Sequence, residues 1–144
     1  MAVAASGIEA GTGIEAGWGI KAGEGIEAGW GIKAGEGIEA GEGIEAGEGI
    51  EAGWGIKAGE GITTFFGAIK AKLSIKANLK ATISAGLFNF DGPQDVEGQE
   101  IDGNVVYGNK KLLPKEPELK PELNLSGKEV SVTVDGKTYI AIIK

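Results

Sequence analysis

From Gly7 to Ile62 the chain repeats one apolar–charged–apolar triplet every six residues, as Gly-Ile-(Glu/Lys)-Ala-Gly-(Glu/Trp/Thr). The isoleucines fall at Ile8, Ile14, Ile20, Ile26, Ile32, Ile38, Ile44, Ile50, Ile56 and Ile62, and alanine follows two residues after each of the first nine. Apolar residues at i and i+2 with Glu or Lys between them have the period of a strand, one side facing inward and the other facing water. A helix is excluded, because 19 of the first 62 residues are glycine and each would cost about 0.5–1 kcal/mol in a helix interior. Three extended residues and a Gly-x-Gly corner, repeated, predict an all-β fold: a β-solenoid with stacked Ile and Ala inside. Glycine is expected to supply the positive φ values of the corners. One coil cannot offset its own ordering entropy, whereas several stacked coils can.

Two coil lengths compete. Trp18, Trp30 and Trp54 are separated by multiples of 12, and each precedes a lysine by three residues: Lys21, Lys33 and Lys57. A two-sided coil of 12 residues would stack Trp on Trp, but it would also align Glu15, Glu27, Glu39 and Glu51 in one acidic row. Like charges directly opposite on neighbouring strands are destabilising. A three-sided coil of about 18 residues instead gives the alternating rows Glu15/Lys33/Glu51 and Lys21/Glu39/Lys57, and leaves only Glu9/Glu27/Glu45 as a like-charge row. The 18-residue prism is the favoured reading, with residues 8–61 making three turns. The 12-residue coil and an intertwined trimer remain alternatives.

Beyond Ile62 the register slips by one residue at Thr63-Thr64-Phe65-Phe66-Gly67 and returns without corner glycines. Apolar residues at odd positions to Leu87 read as longer, half-exposed strands that close the solenoid, with Phe88 and Phe90 as a lid. Residues 7–90 are thus assigned to the solenoid and residues 91–122 to a loop and Pro-rich linker containing a short strand, Asn104–Tyr107. Residues 123–144 are assigned to a C-terminal β-hairpin, because Asp135-Gly136 between alternating runs is a strong hairpin signal.

The 144 residues carry no Cys, His or Arg and a net charge of −7. Thiolate nucleophiles, disulfides, His bases and ligands, and bidentate Arg recognition of phosphate are therefore excluded. The charge is partitioned: −8 over residues 1–62, +4 over 63–90 and −3 over 91–144. Lys70, Lys72, Lys76 and Lys80 form a candidate basic face that could dock a neighbour's acidic repeat end. Matches to the loose dinucleotide-binding pattern recur in every repeat with no helix following, so they are a by-product of the period. The repeats lack the aspartates of calcium-binding solenoids and the threonine arrays of ice-binding ones. No metal or cofactor is expected.

The run Gly-Ile-Glu-Ala-Gly-Trp-Gly-Ile-Lys-Ala-Gly-Glu, the Lys-Leu-Ser-Ile block and Gly103-Asn-Val-Val-Tyr-Gly108 resemble a group of uncharacterised bacterial glycine-rich hexapeptide-repeat proteins over residues 7–108. The resemblance implies no catalytic residues. The expectation is a non-enzymatic binding, inhibitor or immunity-type protein acting through its charged surface. Its candidate recognition residues are Trp18, Trp30, Trp54, Lys21, Lys33 and Lys57. A structural oligomeric spike or fibre segment and an acidic DNA mimic are the alternatives. The expected partner is a protein or a second copy, through the solenoid ends or the hairpin, with no nucleic acid and no membrane. The absence of a long apolar run points to the cytoplasm, unless the chain belongs to an extracellular or phage assembly.

Overall fold

The structure, a computed structural model, describes residues 1–78, 82–92 and 94–115, together with the backbone of 129–134 and 137–142. Every regular element among them is a strand. The first coil is β1 (Ala2–Ala4), β2 (Ile8–Ala10) and β3 (Ile14–Ala16). The second is β4 (Ile20–Ala22), β5 (Ile26–Ala28) and β6 (Ile32–Ala34), and the third is β7 (Ile38–Ala40), β8 (Ile44–Ala46) and β9 (Ile50–Ala52). The fourth comprises β10 (Gly55–Ala58), β11 (Ile62–Thr64) and β12 (Ile69–Ala71). The fifth is β13 (Ser74–Ala77), β14 (Thr82–Ser84) and β15 (Asp95–Gly98), and the sixth is β16 (Glu100–Asp102), β17 (Asn104–Tyr107) and β18 (Asn109–Leu112).

Each strand pairs in parallel with its counterpart one coil away, giving three six-stranded sheets around a triangular prism. We call them sheet A (β1, β4, β7, β10, β13, β16), sheet B (β2, β5, β8, β11, β14, β17) and sheet C (β3, β6, β9, β12, β15, β18). Within the repeat the pairing offset is 18 residues, as in Ile14↔Ile32↔Ile50. The coil is the 18-residue, three-sided one. Five strand spacings of 4.7–4.9 Å make the stack roughly 24 Å tall. The separate strands β19 (Glu129–Val134) and β20 (Lys137–Ile142) pair antiparallel. Of the expected loop and linker, residues 93 and 116–122 lie outside the described residues, as do Asp135-Gly136 of the expected hairpin.

The core is a column of isoleucines and alanines, with Ile20 through Ile83 nearly inaccessible and Val96 continuing it. Burying each Ile contributes roughly 1.5–3 kcal/mol. Two polar residues are also buried, Thr64 in the inward column and Ser84 in the outward row of β14. Thr64 takes the inward place of the repeat's alanine, in register with Ala46. Its hydroxyl donates to the Gly67 carbonyl and accepts from the Gly86 N–H at 3.1 Å. It thereby pins the start of the Gly86–Gln94 excursion, whose next two N–H groups, of Leu87 and Phe88, bond to Thr64 and Phe65 carbonyls. Thr64→Val keeps the shape but leaves both groups unpaired. The expected loss is about 1–3 kcal/mol, with faster amide exchange confined to residues 86–94.

The corners depart from expectation. The positive-φ glycines among the described residues are Gly86, Gly92, Gly103 and Gly108, all outside the repeat. From the second coil onward, the glycine that follows each repeat alanine is required by close approach instead. A Cβ at Gly23, Gly35, Gly41, Gly47, Gly53 or Gly59 would lie 2.0 Å from a carbonyl oxygen of the coil below. The glycine preceding each isoleucine is less crowded, with Gly25, Gly37 and Gly43 at 3.4–3.5 Å.

Three further expectations are corrected. Residues 69–87 are not long strands, for β12, β13 and β14 lie in three different sheets; six is an even period, so alternation carries across a corner and hides it. The solenoid also extends past residues 7–90 at both ends, from β1 through β18. Finally, Phe88 and Phe90 form no lid. Phe88 stacks on Phe65 at 5.2 Å along a prism edge, and Phe90 is fully exposed.

Candidate functional site

The outward row of sheet C reads Glu15, Lys33, Glu51, Lys70, Glu97, Lys111, alternating in sign through all six coils. Sheet A carries Val3, Lys21, Glu39, Lys57, Lys76, Asp102. Glu39 accepts from Lys21 at 3.3 Å and Lys57 at 3.4 Å, and Lys76 reaches Glu100 at 3.2 Å. The Lys21 hydrogen bond holds the Glu39 carboxyl below the ordinary carboxylate range against the opposing pull of desolvation, and Lys57 adds to it. These pairs are exposed, so each contributes only about 0.2–1 kcal/mol.

Sheet B differs. Glu9, Glu27 and Glu45 stand in direct register, and Thr63 and Ser84 continue the row. Replacing the middle glutamate, Glu27→Lys, creates the alternation found on sheet C. The variant is expected to gain about 0.2–1 kcal/mol per new opposite-charge pair, seen as a higher urea midpoint whose gain shrinks with added salt.

The sixth repeat position projects from the prism edges. Along the edge from sheet C to sheet A it holds Trp18, Glu36, Trp54 and Leu73, linked by backbone bonds from Glu36 to Trp18 and from Trp54 to Glu36. The edge from B to C holds Thr12, Trp30 and Glu48, with Phe66 in the next coil. The edge from A to B holds Ser6, Glu24, Glu42 and Glu60, again linked in part through backbone bonds. The tryptophans are 57–65% exposed.

Beside each edge runs a shallow, open groove floored by Gly and Ile backbone. The groove on sheet B is walled by Glu9, Glu24, Glu27, Glu42 and Glu45 alone. The groove on sheet C has Glu15, Lys33, Glu48, Glu51 and Lys70. The groove on sheet A has Lys21, Glu36, Glu39, Trp54, Lys57 and Lys76. All three are open to solvent rather than enclosed, and no acidic cluster among the described residues is arranged to hold a metal ion.

Of the six candidate recognition residues, Trp18, Trp54, Lys21 and Lys57 gather at the C–A edge and the adjoining face. Trp30 lies at the neighbouring edge, and Lys33 lies on sheet C. The four candidate basic residues do not form one face. Lys70 belongs to the ladder of sheet C, Lys72 to the corner after β12 and Lys76 to sheet A, while Lys80 lies outside the described residues. Leu73, exposed next to Trp54, and Phe66, exposed farther along the edge that carries Trp30, were missed; both occupy the sixth repeat position carried into the degenerate coils.

These features define a class: a three-sided parallel β-solenoid whose polar and aromatic chemistry lies on outer faces and edges. Comparison with family models, curated proteins and solved structures gives no match.

Proposed function

We propose that this solenoid is a non-enzymatic binding protein of the inhibitor or immunity type, which engages a protein partner through its C–A edge and sheet A. One observation carries this reading. Trp18 and Trp54 project from the same edge two coils apart, more than half exposed, beside an ion-paired Lys–Glu–Lys ladder. Trp is enriched among residues that dominate interface energetics. The flanking ladder is rigid and charged, so it can fix the orientation of a partner without supplying the main attraction.

The test compares Trp18→Ala/Trp54→Ala with the unaltered protein in partner capture and thermal unfolding. Since neither ring is in the core, stability should change by no more than about 0.5 kcal/mol, whereas capture should be lost. Trp30→Ala, on the other edge, should retain it. Turnover of a substrate that persists through exhaustive purification would overturn the reading.

A further inference from the structure

The two ends of the prism are built differently. At the C-terminal end the perimeter contracts: the inward residues Val96, Ile101 and Val105 are five and four positions apart, instead of six. Gly103 and Gly108 turn the chain with φ of 147° and 127°. A Cβ on Gly103 would lie 2.8 Å from Ile83 Cδ1, so this backbone lies directly across the isoleucine column. Lys110 stands in register above the buried Val96, and its Nζ donates to the Ile101 carbonyl at 3.1 Å. A lysine in the inward row is a device that keeps further strands from adding to an edge.

The first coil has no such device. Ile8 and Ile14 are half-buried, whereas their counterparts one coil up are about 1% exposed. Ile14 donates to Gly31, and Ala16 accepts from Gly35, on the coil above. In a parallel ladder the residue between them, Glu15, must then point its N–H and C=O the other way. The same pattern in β1 and β2 leaves Val3 and Glu9 likewise. Among the described residues nothing pairs with this edge.

We infer that two copies of this chain associate through their first coils, N-terminal end to N-terminal end, as a closed two-fold dimer. The matching outline argues for this occupant. A second first coil presents the same three sides at six residues per side, whereas the chain's own C-terminal end is contracted and blocked by Lys110. A two-fold axis across the prism makes the facing strands antiparallel, so the free N–H and C=O groups of Val3, Glu9 and Glu15 find partners and the half-exposed isoleucines are covered. Every choice of such an axis sets at least one of Glu9 or Glu15 against a glutamate of the other copy. The dimer should therefore tighten as salt rises. A head-to-tail stack would join Lys111 to Glu15 and weaken instead.

The inference does not depend on the tryptophan edge, and the failure of either leaves the other standing. The experiment is sedimentation equilibrium of the full chain over a wide concentration range at low and high salt, with circular dichroism as the folding control. The expected result is a dimer favoured by salt. Ile14→Lys, which copies the Lys110 device, should weaken it roughly tenfold or more. Glu15→Pro removes an edge donor without touching the core, and should weaken it as well even if Ile14→Lys misfolds. A monomer at every concentration, a dimer that persists in folded forms of both variants, or one that dissociates as salt rises would overturn the proposal.

Discussion

Gly35→Ala should unfold much of the repeat block, while Gly17→Ala, the same substitution at the same repeat position one coil earlier, should be nearly silent. The added methyl at Gly35 would sit 2.0 Å from the Gly17 carbonyl oxygen and 2.9 Å from its carbonyl carbon. The obstacle is backbone, so rotation of a side chain cannot relieve it. Coil spacing is fixed by ladder bonds on both sides, among them Gly35 N–H to Ala16 at 2.9 Å and Gly53 N–H to Ala34 at 3.0 Å. Separating the coils locally would break several of these at once. Overpacking in a well-filled interior typically costs about 1–3 kcal/mol, and a clash with fixed backbone belongs at or above the top of that range. At Gly17 a methyl meets nothing within 4 Å. Loss of helical propensity is not at issue here; the whole difference lies in the presence of a coil beneath. Paired thermal melts followed by far-UV circular dichroism measure it directly.

The second large effect is expected from Ile32→Lys. Ile32 is 1% exposed and packs in register between Ile14 and Ile50. The substitution forfeits about 1.5–3 kcal/mol of apolar burial and places an ammonium where no acceptor is free. An unpaired buried charge is so unfavourable that the structure opens or the group deprotonates. Against a typical total stability of 5–15 kcal/mol, the repeat block should be largely unfolded at ambient temperature, with ordered strand signal lost by circular dichroism. The same residue type is tolerated at the last coil, where Lys110 reaches the Ile101 carbonyl. Burial depth along one inward row, rather than residue type, decides the outcome.

The architecture was legible because two independent periods agree. The six-residue recurrence of Ile gives the side of the prism, and the sign alternation of Glu15, Lys33 and Glu51 selects three sides per coil over two. Sequence reasoning failed where the period loses its markers. In β1, Ala2 and Val3 stand where later coils have Ile and a charged residue, with no corner glycine in front, so only their 18-residue offset from Ile20 and Lys21 identifies the strand. In the last coils the period shortens, and the five-residue spacing of Gly98, Gly103 and Gly108 was the available signal. The role of the repeat glycines was invisible because crowding between coils is non-local. Gly17 and Gly35 share the same repeat position, each within Ala-Gly-x-Gly-Ile, and the crowding differs because a coil lies beneath Gly35 and none beneath Gly17. The basic stretch was misjudged as one face for a related reason, since an even period preserves in–out alternation while the chain turns from one sheet to the next. The gathering of Trp18 and Trp54 on one edge follows from their separation of 36 residues, twice the coil length, whereas Trp30 falls out of phase.

The central claim is the 18-residue coil, and pyrene excimer emission tests it most directly, because the chain has no cysteine of its own. Pyrene attached to Glu27→Cys/Glu45→Cys, on β5 and β8 of sheet B, occupies neighbouring strands about 4.7–4.9 Å apart. Attached to Glu27→Cys/Glu39→Cys, the labels lie on different sheets. With excess unlabelled protein present to suppress contacts between molecules, the account predicts strong excimer emission from the first pair and none from the second. Emission from the 27/39 pair, with none from 27/45, would contradict it and require a 12-residue coil.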